Sequence, residues 1–320
     1  MASVDSVPID AVVAADERRH RPRLGSLWSE SWAFDFATGD ASLGGFVRLG
    51  MHPDRGVAWY WAALVGRGRR LVLVRDTGVD LPRGASLEVR GQGLWSAITC
   101  ESPLEHWSVG LEAFAVAFDD PAEAYRSERG DLVGLGFDLE WEALAPPHRR
   151  PPGDGYGQAC RVSGEVLIGD EQLLVDAVGY RHHDWGPDDW WASPGWRASG
   201  FWEDGSFFAA WRWPDGRGGA ALGAGAAPAA AAASGSSDGR NGSCEGPVDI
   251  SVTTDAKGLL AAASVTMGPW SVQATPLAAA PLLVDVPTDG GSRLRSALCS
   301  FQRHDGCRGA GWVSGVEPAG

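Results

Sequence analysis

The sequence predicts an all-β fold, a barrel or sandwich of antiparallel strands. Apolar residues recur at every second position, turn-forming residues interrupt them at short intervals, and long amphipathic helical patterns are hard to find. Residues 1 to about 20 are polar and unpatterned, which reads as a loose tail. Val57 to Val65 is a near-continuous apolar run, expected to be a strand covered on both faces. Trp107, Val109, Leu111, Ala113 and Ala115 alternate with other residues, and Pro121 to Arg129 reads as one short helix with Pro121 in its first turn. Val133, Leu135, Phe137, Leu139 and Trp141 alternate again, with Asp138, Glu140 and Glu142 between the later ones, which marks a half-buried strand. Ala145 to Gly153 is a proline-rich joint between two strand-rich halves. Gly169-Asp170 separates two further strands, and Asp204-Gly205 between aromatic runs is a hairpin signal. Gly218 to Gly242 is Ala/Gly/Ser low complexity, expected to be a mobile loop.

Composition narrows the function. The chain has 320 residues and a net charge of -14, which argues against a nucleic-acid backbone binder. No apolar run approaches the ~18 residues needed to span a bilayer as a helix, so no integral membrane segment is expected. Met1 to Arg23 has no apolar core of signal-peptide length, and the five cysteines are odd in number and scattered. Both point to free thiols in a cytoplasmic protein. There is no Gly-x-Ser-x-Gly elbow, P-loop or Gly-x-Gly-x-x-Gly turn, and no cysteine or histidine spacing that matches a recognised metal site. No cofactor and no metal are expected.

The chemistry concentrates in Gly179-Tyr180-Arg181-His182-His183-Asp184-Trp185-Gly186-Pro187-Asp188-Asp189-Trp190-Trp191. On a strand, Arg181, His183 and Trp185 share one face, and Tyr180, His182 and Asp184 share the other. Adjacent histidines then point apart and are poor partners for one metal. The Arg181/His183/Trp185 face combines an acid, an anion holder and an aromatic wall. It could protonate a polyene or enone while tryptophan faces stabilise the developing cation. Structural readings stand beside these. His183 reads equally as a core histidine bonded to a carbonyl, Asp184 or Asp189 as a turn cap, and one of Trp190 and Trp191 as a packing residue.

The same segment resembles the hydroxyneurosporene-synthase-like (AttH-like) group of the lipocalin/calycin class. That group includes carotenoid 1,2-hydratases and, more distantly, fungal Diels–Alderase-type cyclases. Its motif, Arg-Asp-His-x-Trp-Gly followed by an Asp-Trp pair, reads here as Arg181-His182-His183-Asp184-Trp185-Gly186 and then Asp189-Trp190-Trp191. Ser42–Gly50, Val57–Trp61, Trp107–Phe114 and Gly309–Val313 add to the resemblance. It implies two lipocalin-like domains side by side, over 21–150 and 151–320, with the 218–242 stretch as an insertion and a pocket near the junction. His182 stands where the motif has a carboxylate. The resemblance implies an aspartate in this region as proton donor, and Asp184 lies on the His182 face, where it can substitute.

The candidate catalytic residues are thus His183, Asp184 and Asp189. The candidate ligand-binding residues are Arg181, Tyr180, Trp185, Trp190 and Trp191, with Trp59 and Trp61, which share a strand face, and Arg48, a possible holder of a ligand carboxylate. The leading expectation is binding of a hydrophobic small molecule such as an isoprenoid, steroid or lipid. The alternatives are a cofactor-independent hydratase, cyclase or isomerase, and an interaction module whose pocket is filled by tryptophans.

Overall fold

The computed structural model describes residues 11–23, 27–126, 129–150, 154–187, 191, 195–213, 215–224, 242–245, 248–267, 270–284 and 291–318. The fold is all-β, built as two large antiparallel sheets. The first comprises β1 (Trp28–Ala37), β2 (Gly44–His52), β3 (Val57–Val65), β4 (Leu71–Asp80), β5 (Val89–Gly91) and β6 (Leu94–Ser102). It continues with β7 (His106–Phe118), β8 (Asp131–Ala143), β9 (His148–Arg149), β10 (Asp154–Ile168) and β11 (Glu171–Pro187). Its order is β4-β3-β2-β1-β11-β10-β8-β7-β6-β5, and pairing of Leu71–Leu73 with Val116–Phe118 joins β4 to β7 and closes the ring. Closure removes the unpaired edges that an open sheet would leave.

The second sheet comprises β12 (Gly195–Trp202), β13 (Ser206–Arg212), β14 (Gly218–Ala224), β15 (Gly242–Glu245) and β16 (Val248–Thr254). It continues with β17 (Leu260–Met267), β18 (Trp270–Ala279), β19 (Leu282–Val284), β20 (Ser292–Arg303) and β21 (Arg308–Pro318). This sheet is a curved half-barrel of order β15-β14-β13-β12-β21-β20-β18-β17-β16.

Strand β3 is buried along both faces, as its apolar run predicts, and Asp204-Gly205 and Gly169-Asp170 form the expected hairpin turns. Gly205 and Gly169 take the left-handed backbone that such turns require (φ 81° and 57°). The expected helix is one 3-10 turn, Pro121–Tyr125, whose N-terminal N–H from Ala122 is accepted by Asp120. The expected loop at 218–242 begins instead as β14, and residues 225–241 lie outside the described residues. The proline-rich joint is not where the sheets divide. Strands β10 and β11 complete the first ring, and the change of sheet falls between Pro187 and Gly195. The domain boundary expected at 150/151 therefore does not coincide with it.

Strand β1 sets the two faces. Trp32, Phe34 and Phe36 point into the first barrel and join Trp107 and Trp141 in its core. The outer face of this wall packs on the second sheet through Phe46, Trp59 and Trp61 against Leu294, Leu298 and Trp312. Trp312 fixes the contact by donating its indole N–H to the Phe36 carbonyl (2.9 Å). Gly44 leaves room for Leu298, since a Cβ there would lie 2.9 Å from it.

Residues 11–20, part of the stretch expected to be a loose tail, pack against the first barrel. Residues Ala14–Glu17 form a 3-10 turn that carries the Glu17 carboxylate into the first barrel, where it is buried. There Glu17 takes two hydrogen bonds from Arg181 (2.8 and 3.3 Å), one from the Leu104 N–H (2.7 Å) and a short one from Tyr156. Buried ionised groups need such partners, and the pull of Arg181 holds Glu17 below the usual carboxylate range although burial opposes it. Removing one partner of a buried pair costs about 3–5 kcal/mol. Glu17→Ala is therefore expected to lower unfolding stability by about that amount in a denaturant titration, and Glu17→Leu with Arg181→Met to recover most of it. A Glu17→Ala loss below about 1 kcal/mol would contradict the pairing.

Candidate functional site

Strand register decides what each residue of the 179–187 segment can reach. Trp32 lies opposite His183, and Phe34 opposite Arg181. Directly opposed residues share a face, so Arg181 and His183 point into the first barrel with the β1 aromatics. Arg181 is held there by Glu17, Tyr156 and Gln158. His183 contacts Glu30 through Nε2 (2.9 Å), stacks on Trp32 and is fully buried. The division of the segment into two faces expected from strand period is the one the register gives. Neither Arg181 nor His183 lines the cavity between the sheets, and the N-terminal arm packs against that end of the barrel through Glu17 and His20.

The other face opens into a cavity of about 530 Å³ between the two sheets. That volume suits a small organic molecule. Its first-sheet wall carries Ser29, Ser31, Arg48, Trp61, Arg150, His182 and Asp184, and its second-sheet wall carries Trp196, Arg197, Trp211, Trp213, Leu294, Ser314 and Val316. Trp185 closes one side. Small residues make the space. Ala33 lies opposite both Arg48 and His182, so nothing large stands between those side chains. On β10, a Cβ at Gly157 would fall 1.7 Å from the Tyr180 hydroxyl, and one at Gly155 would fall 2.4 Å from Asp184.

The polar groups form one connected set. Arg150 donates to both oxygens of Asp184 (2.8 and 2.7 Å). Arg197 donates to Nε2 of His182 (2.7 Å). With Nε2 accepting, the imidazole proton resides on Nδ1, which is buried and finds no partner among the described residues. The Trp213 indole N–H, also in the cavity wall, is in the same position. Burial, then the charges of Arg197, Arg150 and Arg48, hold His182 far below the usual histidine range, so it is neutral. Tyr180 does not line the cavity. It shares a hydrogen bond with Nε2 of His148 (2.7 Å), and burial next to Arg150 lowers His148 to about 3. Behind this layer, Asp35 accepts the Tyr180 N–H (3.0 Å) and the Ser199 hydroxyl (3.3 Å).

Of the sequence-predicted residues, Arg48, Trp61, Asp184 and Trp185 meet at the cavity. Trp59 and Trp191 pack on each other in the apolar contact between sheets (5.2 Å). Asp189 and Trp190 lie outside the described residues. Sequence reasoning passed over Arg150, Arg197, His182 as a site group, His148 and Asp35. Arg197 carried a usable signal, being a charge inside an otherwise apolar, tryptophan-rich strand.

The arrangement favours negative charge. Arg48, Arg150 and Arg197 lie with Asp184 in a lining that in all carries six arginines (with Arg23, Arg212 and Arg217) and three aspartates (with Asp154 and Asp215). A carbocation, the intermediate the sequence suggested, would be destabilised there, whereas an enolate, phenolate or carboxylate oxygen would be stabilised. No charged histidine is available on this face to protonate an alkene.

Comparisons with known proteins agree with this architecture. The family model described as a domain of unknown function (DUF7064) matches residues 13–318. No curated protein matches the chain. Among solved structures, the AttH candidate NE1406 from Nitrosomonas europaea is 15% identical over 98% of this chain and 99% of that one, with a TM-score of 0.60. Kievitone hydratase from Nectria haematococca is 13% identical over 98% of this chain and 94% of that one, TM-score 0.60. CghA solved with Sch210972 is 14% identical over 92% and 89%, TM-score 0.58. At these identities the likeness shows the fold, and the resemblance to AttH-like, lipocalin-type proteins holds at that level. No helix among the described residues is long and apolar enough to cross a membrane.

Burial raises the Asp35 carboxyl to about 7, against the pull of Arg197. A raised folded-state value means that folding favours the protonated form. The contribution to stability is complete below the ordinary value of 3.8 and is lost as pH rises through about 7. The lowered values of His148 and His182 act in the opposite sense, with stability present above 6.5 and lost as pH falls. The stability of the wild type relative to Asp35→Asn should therefore fall steadily from about pH 4 to about pH 7. Denaturation at a series of pH values checks this, and a flat difference would contradict it.

Proposed function

Because the chain belongs to the DUF7064 family, whose description names no activity, we infer its function from the junction cavity: an enzyme of the hydratase or cyclase type, acting on a hydrophobic small molecule that bears an acidic or enolisable oxygen. The observation that carries this reading is the inner wall of Arg48, Arg150 and Arg197 around His182 and Asp184, faced by Trp61, Trp196 and Trp211. A carrier needs only the apolar volume. A buried imidazole N–H that finds no partner among the described residues is costly unless a ligand uses it.

The substrate oxygen sits among the guanidiniums, which stabilise the negative charge that grows when a nucleophile adds to a conjugated double bond. His182 acts as a neutral electrophile, with Nδ1–H directed at the same oxygen and Nε2 held by Arg197. For hydration, Asp184 is the carboxylate beside it that takes a proton from the attacking water as its oxygen bonds to the alkene carbon, and then returns that proton to the enolate's α-carbon. For cyclisation, the tryptophan walls hold the chain folded and the rate gain comes from orientation. The names of two fold neighbours, kievitone hydratase and CghA with Sch210972, support this class of reaction and ligand as analogies of fold.

Tryptophan fluorescence tests the charge requirement with dodecanoate and dodecanol as probes. The acid is expected to bind at least about 10-fold more tightly than the alcohol, and Arg197→Met to remove most of that preference. Mass spectrometry of a host-cell extract treated with the protein tests turnover. A metabolite that gains water or isomerises with wild type but not with Asp184→Asn supports the enzyme. Equal binding of acid and alcohol, together with no converted metabolite, would leave a simple apolar carrier.

A further inference from the structure

We propose that His20, Glu30 and His183 form a binding site for a divalent transition metal, with zinc favoured by the ligand set, which clasps the N-terminal arm to the first barrel. The three side chains come from distant parts of the chain: the arm, β1 and β11. Their nearest ligand atoms all lie within 4.8 Å of one another. Glu30 Oε1 is 2.9 Å from Nδ1 of His20 and 2.9 Å from Nε2 of His183. Zinc with bonds of about 2.1 Å needs tetrahedral ligand atoms about 3.4 Å apart; both Glu30–histidine pairs are within about half an ångström of that spacing, and the two histidines are within 4.8 Å of each other.

Charge supplies the second argument. Glu30 and His183 are buried, and a buried carboxylate requires a cation. The nearby guanidinium of Arg181 is engaged by Glu17. Glu30 instead meets two imidazoles and the His20 N–H. Two imidazoles and one carboxylate are a good zinc set, and the partly exposed His20 leaves a side from which an ion and a fourth ligand can enter. His20 is already oriented by stacking on Trp185, with ring centroids 3.8 Å apart. The site lies inside the first barrel, on the opposite strand face from His182 and Asp184.

The test is zinc titration of the tag-free, chelator-stripped full chain by calorimetry. One zinc per chain is expected, with a Tm that rises with zinc concentration. His20→Ala and Glu30→Gln should each weaken binding by about a hundredfold or more, while His106→Ala, in the surface pair with Glu140, leaves it unchanged. His20 is on the arm and Glu30→Gln conserves shape, and circular dichroism shows whether either variant is unfolded. If one is, zinc-edge X-ray absorption of the unmutated protein decides the question, with a shell of two imidazoles and carboxylate oxygen expected. Absence of binding at about 100 µM zinc, wild-type affinity in folded His20→Ala, or a shell without imidazole would overturn the proposal.

Discussion

Arg181 places a permanent positive charge inside a barrel whose core is largely aliphatic and aromatic, and much of the structure follows from how that charge is met. Its partner, Glu17, arrives from 164 positions earlier in the chain. Bringing it there draws residues 14–20 into the mouth of the first barrel, and Leu104 takes a left-handed backbone (φ 65°) in the turn that presents its N–H to Glu17. The arm also delivers His20 to Glu30. Once these groups are satisfied, that barrel end is occupied, and the accessible chemistry of β11 lies on its other face.

That second face is polar for a different reason. Arg48, Arg150 and Arg197 converge on a space bounded by two sheets, where water is scarce and charges act strongly on one another. Burial and the neighbouring Arg150 charge pull even Arg197 below its usual range. Like charges crowded in this way favour the approach of an anion.

Much of this was legible in the sequence, and the failures have identifiable causes. Period-two alternation located the strands and separated Arg181/His183 from His182/Asp184, because strand geometry is local. Which of those faces is enclosed depends on ring closure between β4 and β7 and on Glu17, contacts that no local pattern records. Arg150 sat unnoticed in the proline-rich joint, and Arg197 was hidden among tryptophans that drew attention as a ligand wall. The substitution of His182 for the motif carboxylate looked like a loss. In the fold it supplies a neutral imidazole, bound on one side by Arg197 and with its other nitrogen in the cavity layer.

The central claim is that the junction between the sheets, and not the interior of the first barrel, receives an anionic group. A crystal structure of the protein soaked with a hydrophobic carboxylic acid tests it most directly. The account predicts carboxylate oxygens within hydrogen-bond reach of Arg48, Arg150 or Arg197, with the hydrocarbon against Trp61 and Trp211. A ligand seated beside Arg181 and His183 inside the barrel, with Glu17 displaced, would contradict it.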